Sequence, residues 1–193
     1  MIGIDIIDIA ETRKTTNWQR PRFLEKLFTL KEQELIRRSK NVFITVWHLW
    51  SMKEAAYKLY TQTHAERFYN PKQFQCDIYT PHLKVTYKEF ECFVATKITS
   101  AYILSEASAV KKPISSNVIP LTSQDYRTQS KTTKQALISS VSTQLNLMES
   151  KLEILKSSIG KPLLYYNSKI STIEISLSHH GYYGAFGFTP YVL

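Results

Sequence analysis

Residues 2–9, Ile-Gly-Ile-Asp-Ile-Ile-Asp-Ile, constrain the fold of this chain most strongly. The β-branched density reads as a buried strand, yet two carboxylates, Asp5 and Asp8, stand inside it. A buried carboxylate is tolerated only where something neutralises it. From the residues alone Asp5 is either a ligand for a divalent cation or a strand carboxylate accepting backbone or arginine hydrogen bonds.

Some fifty residues later comes Trp50-Ser51-Met52-Lys53-Glu54-Ala55-Ala56-Tyr57-Lys58. The apolar spacing of Val46, Leu49, Trp50 and Tyr57 predicts a long amphipathic helix over Val42–Tyr60. On it Glu54 and Lys58 lie one turn apart on one face. They are either a metal ligand beside a phosphate clamp or a solvated ion pair contributing about 0.2–0.5 kcal/mol.

Composition bounds the remaining choices. With 193 residues, 43% of them hydrophobic, the chain can bury one real core, so a single domain with an elaboration is expected over residues 1–193. The net charge of +9 calls for an anionic partner: nucleic acid, a membrane surface, a phosphorylated small molecule or an acidic protein. Cys76 and Cys92 have neither CxxC spacing nor a disulfide framework, which fits a reducing cytoplasm. The five histidines show no zinc-type spacing. Apolar runs are too short to span a bilayer, and Asp5 falls too early for a secretory signal, so a cytoplasmic location is expected.

Between the two motifs, a helix is predicted at residues 21–27 and another from Thr29 through Arg38. Thr29 and Glu32 are spaced as a capping box. Strands are predicted at 74–79, 83–87, 92–97 and 101–104, in a meandering antiparallel sheet. Residues 110–124 read as a loop, because Pro113 and Pro120 argue against regular structure. Leu137, Val141 and Leu145 predict a helix over 131–147, followed by strands at 152–155, 173–178 and Tyr183–Phe188 and a turn at Gly160-Lys161-Pro162. No internal repeat is visible.

Taken with Phe28-Thr29-Leu30-Lys31-Glu32, Gly160-Lys161-Pro162 and Ser176-Leu177-Ser178-His179, the two motifs resemble the 4′-phosphopantetheinyl transferase family. That family carries a GxD strand, an F-(S/T)-x-x-E segment, a W-x-x-K-E-A-x-x-K helix, a GKP turn and an S-x-S-H strand. The order is that of its holo-acyl-carrier-protein synthase branch. The larger branch, with two pseudo-symmetric halves, has GKP and SH before GxD. The likeness spans most of the chain outside residues 90–150, which read as an inserted hairpin, loop and helix.

The resemblance implies an α+β fold with an antiparallel sheet wrapped around or packed on the motif helix. It implies transfer of phosphopantetheine from coenzyme A to a serine of an acidic acyl or peptidyl carrier protein, with Mg²⁺ held by Asp5 and Glu54 and Lys58 on the attacked phosphate. It puts Lys161, Ser178 and His179 on the nucleotide phosphates and leaves the base as Glu54 or a metal-held water. Arg13, Arg20 and Arg22 become docking residues for the carrier. Asp8, on the opposite strand face from Asp5, and Glu32, read mainly as structural, are secondary candidates; His180 has no counterpart.

Three departures stand out. Leu49 occupies the position of a phosphate-binding arginine, the glycine-rich stretch after the helix is replaced by residues 61–68, and Ile7 stands where the larger branch has a third acidic ligand. Short family members build their cleft between subunits, which implies a homotrimer with Ser178 and His179 of one subunit facing Asp5 and Glu54 of the next. Alternatively, the insertion completes the cleft in a monomer. Two other function classes compete: an inactive homologue that binds carrier protein or coenzyme A, and a basic nucleic-acid-binding module using the twelve tyrosines. No RNP, KH or helix-turn-helix signature supports the latter, so neither nucleic acid nor membrane is expected as partner.

Overall fold

The computed structural model describes residues 1–64, 70–78, 83–111 and 113–190. In chain order the elements are β1 (Ile2–Asp8), α1 (Ile9–Thr15), α2 (Phe23–Leu27), α3 (Leu30–Arg38), α4 (Val42–Tyr60), β2 (Gln75–Asp77), β3 (Lys84–Tyr87), β4 (Phe90–Ile98) and β5 (Tyr102–Ser108). They continue with β6 (Ser115–Pro120), α5 (Tyr126–Leu145), β7 (Leu152–Lys156), β8 (Pro162–Tyr166), β9 (Lys169–Ile170), β10 (Ile175–His180) and β11 (Tyr183–Phe188). The fold is α+β with antiparallel sheets.

The first sheet has the order β1-β5-β4-β3-β2, and α4 lies against β1, β5 and β4. Met52, Ala55, Ala56 and Leu59 of the helix meet Ile7, Ile103, Val85 and Val94 of the strands in one core. The capping box at Thr29 forms: Glu32 N–H donates to Thr29 Oγ1 and Thr29 N–H to Glu32 Oε2. Asp8 ends β1 by capping α1, its Oδ1 accepting Glu11 N–H at 3.0 Å, where the sequence suggests only a polar segment.

Residues 115–190 repeat that plan. β6 is followed by the long α5 and then by β7 to β11, which form two three-stranded sheets, β6-β11-β10 and β7-β8-β9, with β8 lying beside β10. Here α5 packs on β11, β10 and β7, as α4 packs on the first sheet, over a second core of Leu137, Val141, Leu164, Ile175 and Phe188. β5 and β11 both begin on a tyrosine, Tyr102 and Tyr183, paired with the last residue of β1 and of β6. Those two rings meet at 5.4 Å, beside a third core of Ile4, Ile6, Leu104 and Ala185 that joins the halves. The repeat lies in topology and not in residue types, so it cannot be seen in the sequence.

One expectation needs correction. Residues 115–120, within the segment read as a loop, form β6, because Pro120 sits at the end of an edge strand where no ladder donor is required of it. Within the segment 90–150, β5 is the hydrogen-bonded neighbour of β1, and β6 and α5 belong to the second half. The strand predicted at 74–79 is observed as Gln75–Asp77, and its last residue, Tyr79, lies outside the described residues.

Candidate active site

β1 passes α4 at contact distance through Gly3. A Cβ at that position would sit 2.1 Å from the Ala55 carbonyl oxygen and 2.9 Å from Leu59 N. Only a residue without a side chain allows this approach, and it brings the GxD strand onto the turn of helix that carries Glu54 and Lys58. A Gly3→Ala substitution is therefore expected to lose about 1–3 kcal/mol of stability by overpacking, read as a lower urea midpoint at unchanged m-value.

Asp5 is buried, 6% exposed. Its Oδ1 accepts from Lys58 Nζ at 2.9 Å and from Ser178 Oγ at 3.1 Å. The ammonium of Lys58 also donates to Ser178 Oγ at 2.9 Å and to the Ile4 carbonyl at 3.0 Å, so all three of its donor directions are used. Asp5 Oδ2 is buried without a hydrogen-bond partner. A buried carboxylate oxygen left in this state is costly, and a hard cation is the ligand that chemistry would place on it. Glu54 is half-buried on α4, one turn before Lys58. Among the described residues no group of three or more His, Cys, Asp or Glu stands ready for a metal, so a cation here would rely on one or two carboxylates with oxygens from water or substrate.

Lys58 also lines a cavity of about 310 Å³, together with Lys161 and Gly160 of the GKP turn, Tyr57, His64 and Leu177. A second cavity of about 150 Å³ shares Pro162 and Leu177 with the first and adds His179, Tyr126, Lys134 and Lys156. His179 meets the Tyr126 ring edge-on at 4.9 Å. Burial, with the positive charge of Lys58 and the neighbouring His180, holds its imidazole below the ordinary range. Tyr126, Lys134 and Lys156 escaped sequence reasoning, since lone basic residues on a helix and a strand carry no motif.

Strand alternation separates Ser178 from His179. The side chains of Ser176, Ser178 and His180 hydrogen-bond to β1, whereas Leu177 and His179 line the second cavity. All these contacts lie within one chain. The expected arrangement, with Ser178 of one subunit facing Asp5 of the next, is thereby corrected: the second half folds back and brings β10 against β1 of the same polypeptide.

The remaining candidates are placed as follows. Both carboxylate oxygens of Asp8 are used by backbone amides, Oδ1 by Glu11 and Oδ2 by Tyr182 at 2.9 Å. Glu32 forms a buried ion pair with Lys53 at 2.9 Å and accepts Cys76 N–H at 2.8 Å. Leu49 is buried in the core and supplies no cation to the cleft. Arg13, Arg20 and Arg22 are exposed, Arg13 lying over the Phe43 ring at 4.1 Å and Arg20 over Phe23 at 5.3 Å. Of the replaced glycine-rich stretch, Gln62 donates to the Ile2 carbonyl and His64 stacks on Tyr60, while residues 65–68 lie outside the described residues. Burial raises the thiol of Cys92 to about 12 and that of Cys76 well above its ordinary value, which argues against thiolate chemistry. Among the described residues no helix is long and apolar enough to cross a membrane.

Comparison with known proteins gives the same reading as the motifs. A family model of the 4′-phosphopantetheinyl transferase superfamily matches residues 1–107, the stretch that holds β1, α4 and nearly all of β5. A holo-[acyl-carrier-protein] synthase of Caldanaerobacter subterraneus subsp. tengcongensis is 36% identical over 58 residues, which cover 30% of this chain and 45% of that protein. The match thus spans less than half the length of that relative. With more than half of its residues under the family model, the chain belongs to the 4′-phosphopantetheinyl transferase superfamily and is holo-acyl-carrier-protein synthase-like.

Proposed function

We propose that this protein transfers the 4′-phosphopantetheine group of coenzyme A to a serine hydroxyl of an acidic apo carrier protein and releases 3′,5′-ADP. The observation that carries this reading is the Asp5–Lys58–Ser178 cluster at the edge of a cleft lined by Lys58 and Lys161. In the reaction the serine oxygen forms a bond to the phosphorus bearing pantetheine, and the bond from that phosphorus to the ADP oxygen breaks. The serine proton goes to Glu54, one helical turn from Lys58.

Lys161 holds the pyrophosphate, and Lys58, whose three donors are engaged by Asp5, Ser178 and the Ile4 carbonyl, sets its positive charge beside it. The Asp5 carboxylate fixes the direction of the Lys58 ammonium before substrate arrives, so little reorganisation is left for the reaction. The orphaned Oδ2 of Asp5, together with Glu54, would hold Mg²⁺, which when bound supplies charge neutralisation for the pyrophosphate. Lys134, Lys156 and His179 in the adjoining cavity take the nucleotide end and compensate for the phosphate contact that Leu49 does not make. Because Asp5, Lys58, Ser178 and the GKP turn come from one chain, a single copy suffices for the cleft. Exposed Arg13, Arg20 and Arg22 meet the acidic carrier, where complementary charge raises the association rate and fixes orientation.

The test is intact-mass spectrometry of an apo acyl carrier protein incubated with this protein, coenzyme A and Mg²⁺. The expected result is the gain of one phosphopantetheine, lost when Mg²⁺ is chelated. No gain across carriers from fatty-acid, polyketide and peptide synthesis, alongside measurable coenzyme A binding, would instead establish a non-catalytic binding homologue.

A further inference from the structure

β1 is buried along its whole length, but only one of its edges is paired by a neighbouring strand, β5. Its other edge presents backbone amides inside the protein, where each unpaired donor is costly. Among the described residues no strand ladder continues the sheet there. Instead Ile4 N–H donates to Ser176 Oγ at 2.9 Å, Ile6 N–H to Ser178 Oγ at 3.3 Å and Asp8 N–H to His180 Nδ1 at 3.0 Å. Three alternate residues of β1 thus meet three alternate residues of β10, running in the same direction, through side chains.

We infer that Ser176, Ser178 and His180 form a side-chain seam that docks the second half of the chain onto the free edge of β1, and that Ser178 and His180 are thereby positioning residues for Asp5 and Lys58. Ser178 is the centre of this seam. Its hydroxyl accepts from Ile6 N–H and Lys58 Nζ and donates to Asp5 Oδ1, so one oxygen ties the β1 backbone, the ammonium and the carboxylate together. At 8% exposure it is enclosed by these three partners and does not face the cavities as His179 does.

His180, for which the motif offers no role, closes the far end of the seam. Because its Nδ1 accepts, the proton of the neutral ring resides on Nε2. Beside it the hairpin turns at Gly181, whose φ of +57° and whose absent Cβ, which would lie 2.4 Å from Asp8 Oδ2, admit only glycine. Asp8 Oδ2 accepts Tyr182 N–H from the same turn. The end of β1 and the tip of the β10–β11 hairpin are therefore interlocked from both sides.

The seam itself follows from the geometry; its consequence for turnover rests on the transferase reading, so the test has two separate readouts. Backbone amide exchange is followed by NMR on the full chain for wild type, Ser176→Ala, Ser178→Ala, His180→Phe and His180→Asn, the last keeping an acceptor near Nδ1. The amides of Ile4, Ile6 and Asp8 are expected to exchange about tenfold faster in Ser176→Ala, Ser178→Ala and His180→Phe respectively, with His180→Asn restoring protection at Asp8. In the transfer assay, Ser178→Ala and His180→Phe are expected to lower kcat with KM for coenzyme A nearly unchanged, and His180→Asn to recover it. Unchanged exchange at all three amides would overturn the seam. A raised KM at unchanged kcat in Ser178→Ala would make its hydroxyl a phosphate ligand and overturn its positioning role. Should the wild type transfer nothing, the transferase reading alone fails, and the exchange data still decide the seam.

Discussion

Asp5→Asn is expected to reduce the single-turnover rate of phosphopantetheine transfer by about 10²–10³ or more, the scale seen when one preorganised electrostatic group is removed from a reaction centre. The substitution keeps the shape of the side chain and leaves Lys58 its bonds to the Ile4 carbonyl and Ser178 Oγ. What disappears is the negative charge beside the ammonium and the buried Oδ2 on which a cation would sit. Thermal unfolding should move far less than the rate, because the helix and both cores remain. Asp5→Ala should be as inactive but less stable, since it also leaves a cavity and a less constrained ammonium. A rate within threefold of wild type for Asp5→Asn, measured by intact mass at saturating coenzyme A and Mg²⁺, would remove Asp5 from the reaction.

Lys53→Met should have the largest effect on stability. Lys53 is fully buried; its ammonium donates to Glu32 Oε2, to the Pro71 carbonyl at 3.0 Å and to the Phe74 carbonyl. Glu32, 4% exposed, is in turn held by the amides of Thr29 and Cys76. Methionine fills much of the volume but strands the carboxylate, and breaking one side of such a pair costs about 3–5 kcal/mol. For a chain of this size that corresponds to a fall in Tm of roughly 6–20 °C. Adding Glu32→Gln should recover part of the loss, because the double variant no longer buries an unmatched charge. A loss below about 1 kcal/mol for Lys53→Met would mean the pair adds little beyond a hydrophobic residue of its size. The two lysines of the helix motif thus have separate tasks: Lys53 joins α4 to α3 and to the segment that leads into β2, and Lys58 lines the cleft.

What could be read in advance was what is encoded locally. The bounds of α4 follow from its apolar spacing, and α3 from the Thr29–Glu32 box, because both signals are satisfied within a few residues of where they are written. α1 is hidden because its cap, Asp8, is at the same time the last residue of the hydrophobic strand β1. β6 was hidden because Pro120 breaks most strands, and only long-range pairing with β11 shows that it needs no donor there. Alternation along β10 places Ser178 and His179 on opposite faces, a local signal that their shared S-x-S-H motif obscures. Lys134 and Lys156 join the site only because α5 and β7 belong to a half whose likeness to the first is one of topology, and no local pattern records that.

The doubled plan has a consequence for how the motifs can evolve. When Tyr102 is laid on Tyr183, the register of each strand pair sets Asp5 opposite Asn117, so the second half has no acid at the equivalent position. Conversely, the GKP turn and the Ser176-Leu177-Ser178-His179 strand occur in the second half alone. An assembly of identical subunits writes every substitution into all copies and must keep both sets of residues in each. Two unequal halves on one chain are released from that rule. Each can discard the chemistry it does not use, and the surface freed in this way is open to selection for something else.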